Sequence, residues 1–367
     1  MPRSKSSTTV HIADESRAPM VPIIFSLFIS FIMTLPRVTG ASGFIGSHVV
    51  DELLRQGYSV RGAVRSKNVS RISKSYESFG ERFTTTVIED LATSDLSEAI
   101  KGVDAIIHVA SPLANAGSPE VILETAVSGT TRVLEAALAA DVKKLVITAS
   151  MASLISLNDF WRDIRINETV RGCVQPGATS LTVYSVSKAL ADRAAGDFKR
   201  DHPEFDITTI HPSYVFGPTG TGQVYNSVAT GTNLYIYELI AGPAGRPVRG
   251  YNRNNGTPPL NVDVRDVARA HVLALKLPPS DTPKRFILST STFTWTEAIK
   301  YIAEVRPDLK ARLPVITDNE PAIGPSVKLD TSATDNVLGL KNYVKWQDTV
   351  LDTINDLLRI EKQLAAQ

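Results

Sequence analysis

The stretch VTGASGFIGSHVVDELLRQGYSV, residues 38–60, decides how this chain folds. It opens as the end of a strand and closes as an apolar-periodic helix running into the next strand. Between them lie Gly40, Gly43 and Gly46, with Ser42, Phe44 and Ile45 interleaved. Glycine takes positive φ without strain and lets a phosphate or another backbone come close. A helix starting at such a turn presents free N–H groups and a partial positive charge, which together receive a pyrophosphate. Three spaced glycines alone are a weak signal. Set between a strand and a helix, they predict a dinucleotide-binding turn over residues 40–46.

The same alternation continues downstream. SVRGAV at 59–64, the start of FTTTVIEDL at 83–91, VDAIIHVA at 103–110 and VKKLVITAS at 142–150 read as strands. PEVILETAVSGTTRVLEAALAA at 119–140 and SLTVYSVSKALADRAAGDFKRD at 180–201 read as helices. FDITTIHPSYVFGP at 205–218 is a strand closed by a Gly-Pro turn. Repeated β–α–β units predict an α/β fold, a doubly wound parallel sheet of Rossmann type with right-handed crossovers. After Gly217, loops rich in Gly, Pro and Asn surround a helix at LYIYELI, and NVDVRDVARAHVLALKLP then returns to strand and helix. The expected organisation is a leader at 1–33, a nucleotide-binding domain at 34–216 and 261–289, and a smaller, discontinuous substrate-binding region at 217–260 and 290–367.

One element conflicts with this plan. The first strand must run over residues 35–39, at the buried centre of the sheet. Such strands read as unbroken Val/Ile/Leu runs. Here the segment is TLPRVTG, with Pro36 and Arg37 inside it, and proline cannot donate to the ladder. The expectation is a first strand that is short or displaced.

The end of the second strand selects the nucleotide. An acid there holds the ribose 2′-hydroxyl of NAD, whereas arginine favours the 2′-phosphate of NADP. The segment is RGAVRSKNVSRISK, with Arg65 at the strand end, Lys67 and Arg71 beyond it and no acid among them. A guanidinium can meet a phosphate with two hydrogen bonds. NADP(H) is therefore the expected cofactor, with Arg65 and Arg71 among its contacts. Asp90 and Leu91, after the third strand, are placed to read the adenine edge. Val109, Ala110 and Ser111, after the fourth, are small enough for the cofactor to pass.

Tyr184 and Lys188 stand four apart in YSVSK and share a helix face. An ammonium beside a phenol favours loss of its proton, which makes tyrosine a usable acid near neutrality. The lysine can also hydrogen-bond ribose hydroxyls. A pair at this spacing arises by chance in a chain with ten tyrosines. Ser150 raises its weight, because it follows the strand LVITA, and ligands of open α/β sheets bind at the carboxyl ends of strands. A serine there can hold a carbonyl oxygen while the tyrosine protonates it.

With these residues in place the chain resembles an extended short-chain dehydrogenase/reductase of the NAD(P)-dependent epimerase/dehydratase superfamily. It is similar in particular to the dihydroflavonol 4-reductase and cinnamoyl-CoA reductase group and to fungal aldehyde/ketone reductases. The motifs are VTGASGFIGSHVVDELL, VRGAVRS, VASPL, AVSGTTRVLEAA, YSVSK, HPSYVFGP and VDVRDVARAHVLAL, within residues 38–360. The resemblance implies Ser150, Tyr184 and Lys188 as the catalytic set, and Pro212 to Val215 as a cofactor wall near the nicotinamide. Some positions depart from the pattern. TAS stands where relatives commonly have TSS, and Ala126 lies near the place where many such reductases carry a relay asparagine. His211 precedes Pro212 and reads as a structural histidine. His108 reads as core and His48 as a helix-surface residue.

Composition narrows the partners. A formal net charge of +1, with no long basic run in the body of the chain, gives no electrostatic support to a nucleic-acid partner. A lone cysteine, Cys173, excludes a disulfide framework or a cysteine-based zinc site and fits a reducing, cytoplasmic setting. The six histidines show no ligand spacing, so no metal is expected. Residues 1–19 are polar and read as disordered. The apolar run from Met20 to Leu35 is broken by Pro22 and is short of the roughly 20 residues of a membrane span. It reads as a packed element or as a leader from a wrongly assigned start or splice site. Membrane contact through residues 20–35 is the lesser reading.

The expected function is NADPH-dependent reduction of a small aldehyde or ketone, with Tyr184 protonating the oxygen, Lys188 tuning Tyr184 and Ser150 orienting the carbonyl. The alternatives are a nucleotide-sugar epimerase or dehydratase using the same pair, and a non-catalytic NADP(H)-binding sensor. Tyr235, Tyr237 and Phe293 are compatible with an aromatic substrate pocket and equally with core packing.

Overall fold

The chain divides into two units, residues 1–32 and 33–367. The computed structural model describes residues 35–111, 118–154, 179–248, 260–290, 293–316 and 329–366, all in the second unit. The expected leader at 1–33, the apolar run short of Leu35, and Cys173 lie outside the described residues. Among the described residues no helix is long and apolar enough to cross a membrane.

The chain runs β1 (Pro36–Thr39), α1 (Phe44–Arg55), β2 (Val60–Val64), α2 (Val69–Ser75), β3 (Phe83–Val87), α3 (Ser97–Ile100), β4 (Ala105–His108), α4 (Pro119–Ala139), β5 (Lys144–Thr148) and α5 (Ser180–Asp201). It continues through β6 (Asp206–Pro212), β7 (Tyr214–Phe216), α6 (Asn233–Tyr237), β8 (Asn261–Asp263), α7 (Val264–Lys276), β9 (Lys284–Leu288), α8 (Trp295–Val305) and α9 (Trp346–Ala365). Seven strands form one parallel sheet in the order β3-β2-β1-β4-β5-β6-β9, and β7 pairs with β8 in a separate ribbon. The reversal of strand order between β1 and β4 opens the crevice where doubly wound sheets bind ligands.

Local chemistry sets the two helices that matter most here. Ser118 caps α4, and Pro119 follows at its first turn, where the missing N–H is harmless. Thr179 caps α5 by accepting the Thr182 N–H at 3.1 Å. Each face of the sheet then carries its own core. Val49, Val50 and Leu53 of α1 pack with Val267 and Ala270 of α7 on one side. Val133, Leu134 and Ala137 of α4 pack with Ala195 of α5 on the other. A third core gathers Phe216, Ile236, Phe293, Trp295 and Ile354 beyond the sheet. Phe293 stacks on Trp346 there with ring centroids 4.9 Å apart, so it belongs to packing and not to a pocket.

β1 is short, as expected, but it is not displaced. It pairs in register with β2 on one side and β4 on the other, Arg37 lying opposite Arg61 and Ile106. Pro36 is tolerated because it is the first residue of the strand. Arg37 is more unusual. It is 1% exposed, and neither terminal guanidinium nitrogen has a hydrogen-bond partner among the described residues. Burial, with Arg61 nearby, lowers its pKa to about 9.

Candidate active site

The glycine turn at 40–46 joins β1 to α1 as its spacing predicts. Gly40 follows β1 at φ +69°, and Gly43 N–H donates to the Gly40 carbonyl at 2.9 Å. Gly43 caps α1, so the first turn of that helix, with Phe44 and Ile45, opens on the crevice side of β1. A side chain at Gly40 would press on Ala110 at 3.0 Å, and a Cβ at Gly46 would sit 2.1 Å from the Gly40 carbonyl oxygen. These glycines therefore let the turn close tightly on itself and on the end of β4, and the start of α1 beside it fits a pyrophosphate. Gly46→Ala is expected to weaken NADPH binding at least about tenfold and to lower stability by about 1–3 kcal/mol through overpacking. Fluorescence titration and thermal melts would check both, and wild-type affinity in a folded variant would contradict the assignment.

The structure also adds parts that the motif does not announce. Thr39 Oγ1 accepts the N–H groups of Val109 and Ala110, at 3.1 and 3.3 Å, and bonds His108 Nδ1 at 2.8 Å. This hydroxyl ties the end of β1 to the end of β4. Ser111 is exposed beside them. A second clasp comes from residues 218–224. The Val224 N–H donates to the Ser42 carbonyl, His48 Nε2 donates to the Pro218 carbonyl at 2.9 Å, and a Cβ at Gly220 would meet Ser47 Oγ at 2.4 Å. His48 is thus not a free surface residue. The glycines of PTGTG were the only hint of this close approach.

Around the adenine end, Arg65 is exposed at the end of β2. The Ser66 N–H donates to Glu89 Oε1 at 2.9 Å, and hydrogen bonds from Ser66, with the charges of Arg65 and Lys67, hold the Glu89 carboxyl below its usual range. So an acid does stand near Arg65, brought there from β3 rather than from the local sequence. Asp90 is exposed and accepts the Ala92 N–H at 2.7 Å, while Leu91 packs onto the α4-side core. Arg71 turns elsewhere, with its guanidinium 4.9 Å over the Tyr225 ring. It lines a cleft of about 340 Å³ with Thr219, Asp356 and Arg359.

Ser150, Tyr184 and Lys188 lie on two elements that pack together beyond the carboxyl end of β5. Ser150 follows β5 and caps the Met151–Ser153 turn, its Oγ accepting the Ala152 N–H at 3.1 Å. α5 packs against that turn. On α5, Lys188 is 6% exposed, with its ammonium 5.7 Å from the centre of the Tyr184 ring. The ammonium's field reaches both neighbouring strands. Burial, then Lys188, lowers the pKa of His108 to about 4. Burial also lowers His211, against the pull of Asp192 and with help from Arg285 and Lys188. On the open side, burial raises the Tyr214 phenol, with Tyr235 and Tyr184 adding to the shift. Pro212 ends β6, and Val215 is buried in β7 opposite Val262. His108 is a core residue as expected. Among the described residues, no His, Cys, Asp and Glu cluster is arranged to hold a metal.

Residues 37–288 match the profile of the NAD dependent epimerase/dehydratase family. The chain belongs to that family. Two family relatives cover most of its length. One is an uncharacterized oxidoreductase of Saccharomyces cerevisiae, 32% identical across 90% of this chain and 98% of its own. Another is a ketoreductase of Cercospora beticola, 28% identical across 90% of this chain and 96% of its own. Among solved family structures, Gre2 of Candida albicans in complex with NADPH aligns with a TM-score of 0.76 at 26% identity, over 89% of this chain and 98% of that one. The family fold is an α/β Rossmann sheet, as the strand order here requires.

Proposed function

We propose that the chain is an NADP(H)-dependent oxidoreductase that reduces the carbonyl group of a small aldehyde or ketone, with Tyr184 as proton donor. The observation that carries this reading is the placement of Tyr184 and Lys188 on one face of α5, packed against the turn that begins at Ser150. When bound, NADPH supplies hydride to the carbonyl carbon. Ser150 donates a hydrogen bond to the carbonyl oxygen, and Tyr184 delivers the proton to that oxygen as charge builds on it. Lys188, buried beside the Tyr184 ring, stabilises the phenolate left behind. Gly40, Gly43 and Gly46 with the start of α1 hold the pyrophosphate, and Arg65 takes the 2′-phosphate.

A ketoreductase among the relatives and an NADPH complex among the structural neighbours support this assignment. Residues 217–260 and 290–367 form the substrate side in this reading, where the Tyr214 and Tyr235 rings lie 6.1 Å apart. A cytoplasmic setting belongs to the same reading and rests on the single cysteine.

The test is oxidation of NADPH and NADH against a panel of aldehydes and ketones. Wild type is expected to turn over with NADPH. Arg65→Ser is expected to raise the KM for NADPH at least about tenfold, the weight of a charge-assisted hydrogen bond, and to leave that for NADH within about twofold. Tight NADPH binding without turnover of any carbonyl would favour a sensor instead.

A further inference from the structure

Behind Ser150 lies a buried chain of polar groups that the reaction as described does not use. His211, on β6, is 0% exposed. Its Nδ1 faces the Ser150 carbonyl oxygen at 3.3 Å and Ser153 Oγ at 3.2 Å. Ser153 Oγ donates to that same carbonyl at 2.7 Å, and Ser153 N–H at 2.9 Å. A carbonyl only accepts, and the Ser153 hydroxyl proton is already committed to it. Nδ1 must therefore carry the imidazole proton, shared between the Ser150 carbonyl and Ser153 Oγ.

The other side of the ring reaches the helix that bears the proton donor. Nε2 is 2.9 Å from Thr209 Oγ1 and 3.6 Å from Asp192 Oδ1. Asp192 is buried on α5, one turn beyond Lys188 and two beyond Tyr184. Its second oxygen pairs with Arg285 of β9, which lies opposite Thr209 in the sheet. His211 thus joins the turn that presents Ser150 to the helix that presents Tyr184 and Lys188.

We infer that His211 is a positioning residue. Its Nδ1–H fixes the Ser150 peptide, and its Nε2, accepting the Thr209 hydroxyl, holds the ring against the Asp192 side of α5, the helix that carries Tyr184 and Lys188. The inference rests on the assignment of those three residues as the reacting set. It goes a step beyond the expectation of a structural histidine.

Replacement of His211 by amides separates the two sides of the ring. Asparagine places an N–H where Nδ1 stands, and glutamine places one where Nε2 stands. His211→Asn is expected to keep kcat within about threefold. His211→Gln and His211→Leu are expected to lose about 10–100-fold in kcat, the scale on which small misplacements act, with the Kd for NADPH within about twofold. In a Ser150→Ala background the His211→Gln loss should shrink to less than about twofold, because the group it acts through is gone. Equal kcat in all three His211 variants, a larger loss for asparagine than for glutamine, or the same loss with and without Ser150 would overturn the inference. The asparagine and glutamine variants carry the test even if leucine does not fold. Tyr184→Phe run in parallel distinguishes the two failures: if it stays active, the catalytic assignment falls; if it is inactive while His211→Gln is not, only the positioning role falls.

Discussion

Tyr184→Phe is expected to lower kcat for NADPH-driven carbonyl reduction by about 10²–10⁴-fold, the usual contribution of a positioned general acid. The ring itself would remain. Tyr184 is half-buried on α5, and the buried Lys188 ammonium 5.7 Å from its ring would keep its place against the aromatic face. Phenylalanine therefore removes the transferable proton and little packing. The Kd for NADPH should stay within about threefold and the melting temperature nearly unchanged, so that the loss falls on kcat. That pattern marks an interaction made only in the transition state. Single-turnover measurement of NADPH absorbance, combined with NADPH titration, would check it. A variant that still turns over at more than a tenth of the wild-type rate would remove Tyr184 from the reaction.

Arg37→Leu is expected to stabilise the protein by about 2–4 kcal/mol. Burial of an ion without a partner costs several kcal/mol, and apolar replacement of buried charges is often stabilising by 1–4 kcal/mol. At position 37 neither terminal nitrogen finds a hydrogen bond among the described residues, and the nearest named charge is another arginine, Arg61. Even lowered to about 9, its pKa leaves the group charged at neutral pH. Because the folded-state value lies below the ordinary one of 12.5, the folded protein binds its proton less tightly than the unfolded chain does. Wild-type stability should then rise relative to the leucine variant as pH climbs past about 9, and the gap between them should narrow. For a chain of 367 residues the gain at pH 7 corresponds to roughly 3–5 °C in melting temperature. Urea unfolding at pH 7 and at pH 10 would measure both effects. A variant no more stable than wild type would mean that the guanidinium is better accommodated than its surroundings indicate.

The sequence was most readable where structure is local. Apolar runs placed the strands, period-3.6 patterns placed the long helices, and glycine spacing placed the turn at 40–46. The four-residue step from Tyr184 to Lys188 put both on one face of α5. The parts that escaped join distant segments. Glu89 approaches Arg65 from a different strand, and His48 holds Pro218 across 170 residues. Asp192, His211 and Arg285 come from three elements, and no local pattern marks three such residues as neighbours. Arg71 reads as a phosphate ligand because it follows Arg65 closely, yet the helical turn of α2 carries it over Tyr225. β1 shows the opposite case: it is short, as expected, yet it keeps its central place. Proline and arginine argued against a central strand, and the register with β2 and β4 held the segment in place regardless.

The strand that carries Arg37 is also the strand that ends in the cofactor turn. Arg37 therefore places a buried charge, unpaired among the described residues, on the strand leading into the turn that the proposed reading assigns to the pyrophosphate. A ligand that binds only the folded form adds about 2.7 kcal/mol at a hundredfold excess over its Kd, comparable to what that charge removes. Cellular quality control acts on the unfolded fraction, so small differences of this size change abundance severalfold. On the proposed reading, the steady-state amount of this protein would follow the supply of its nucleotide as well as its own synthesis.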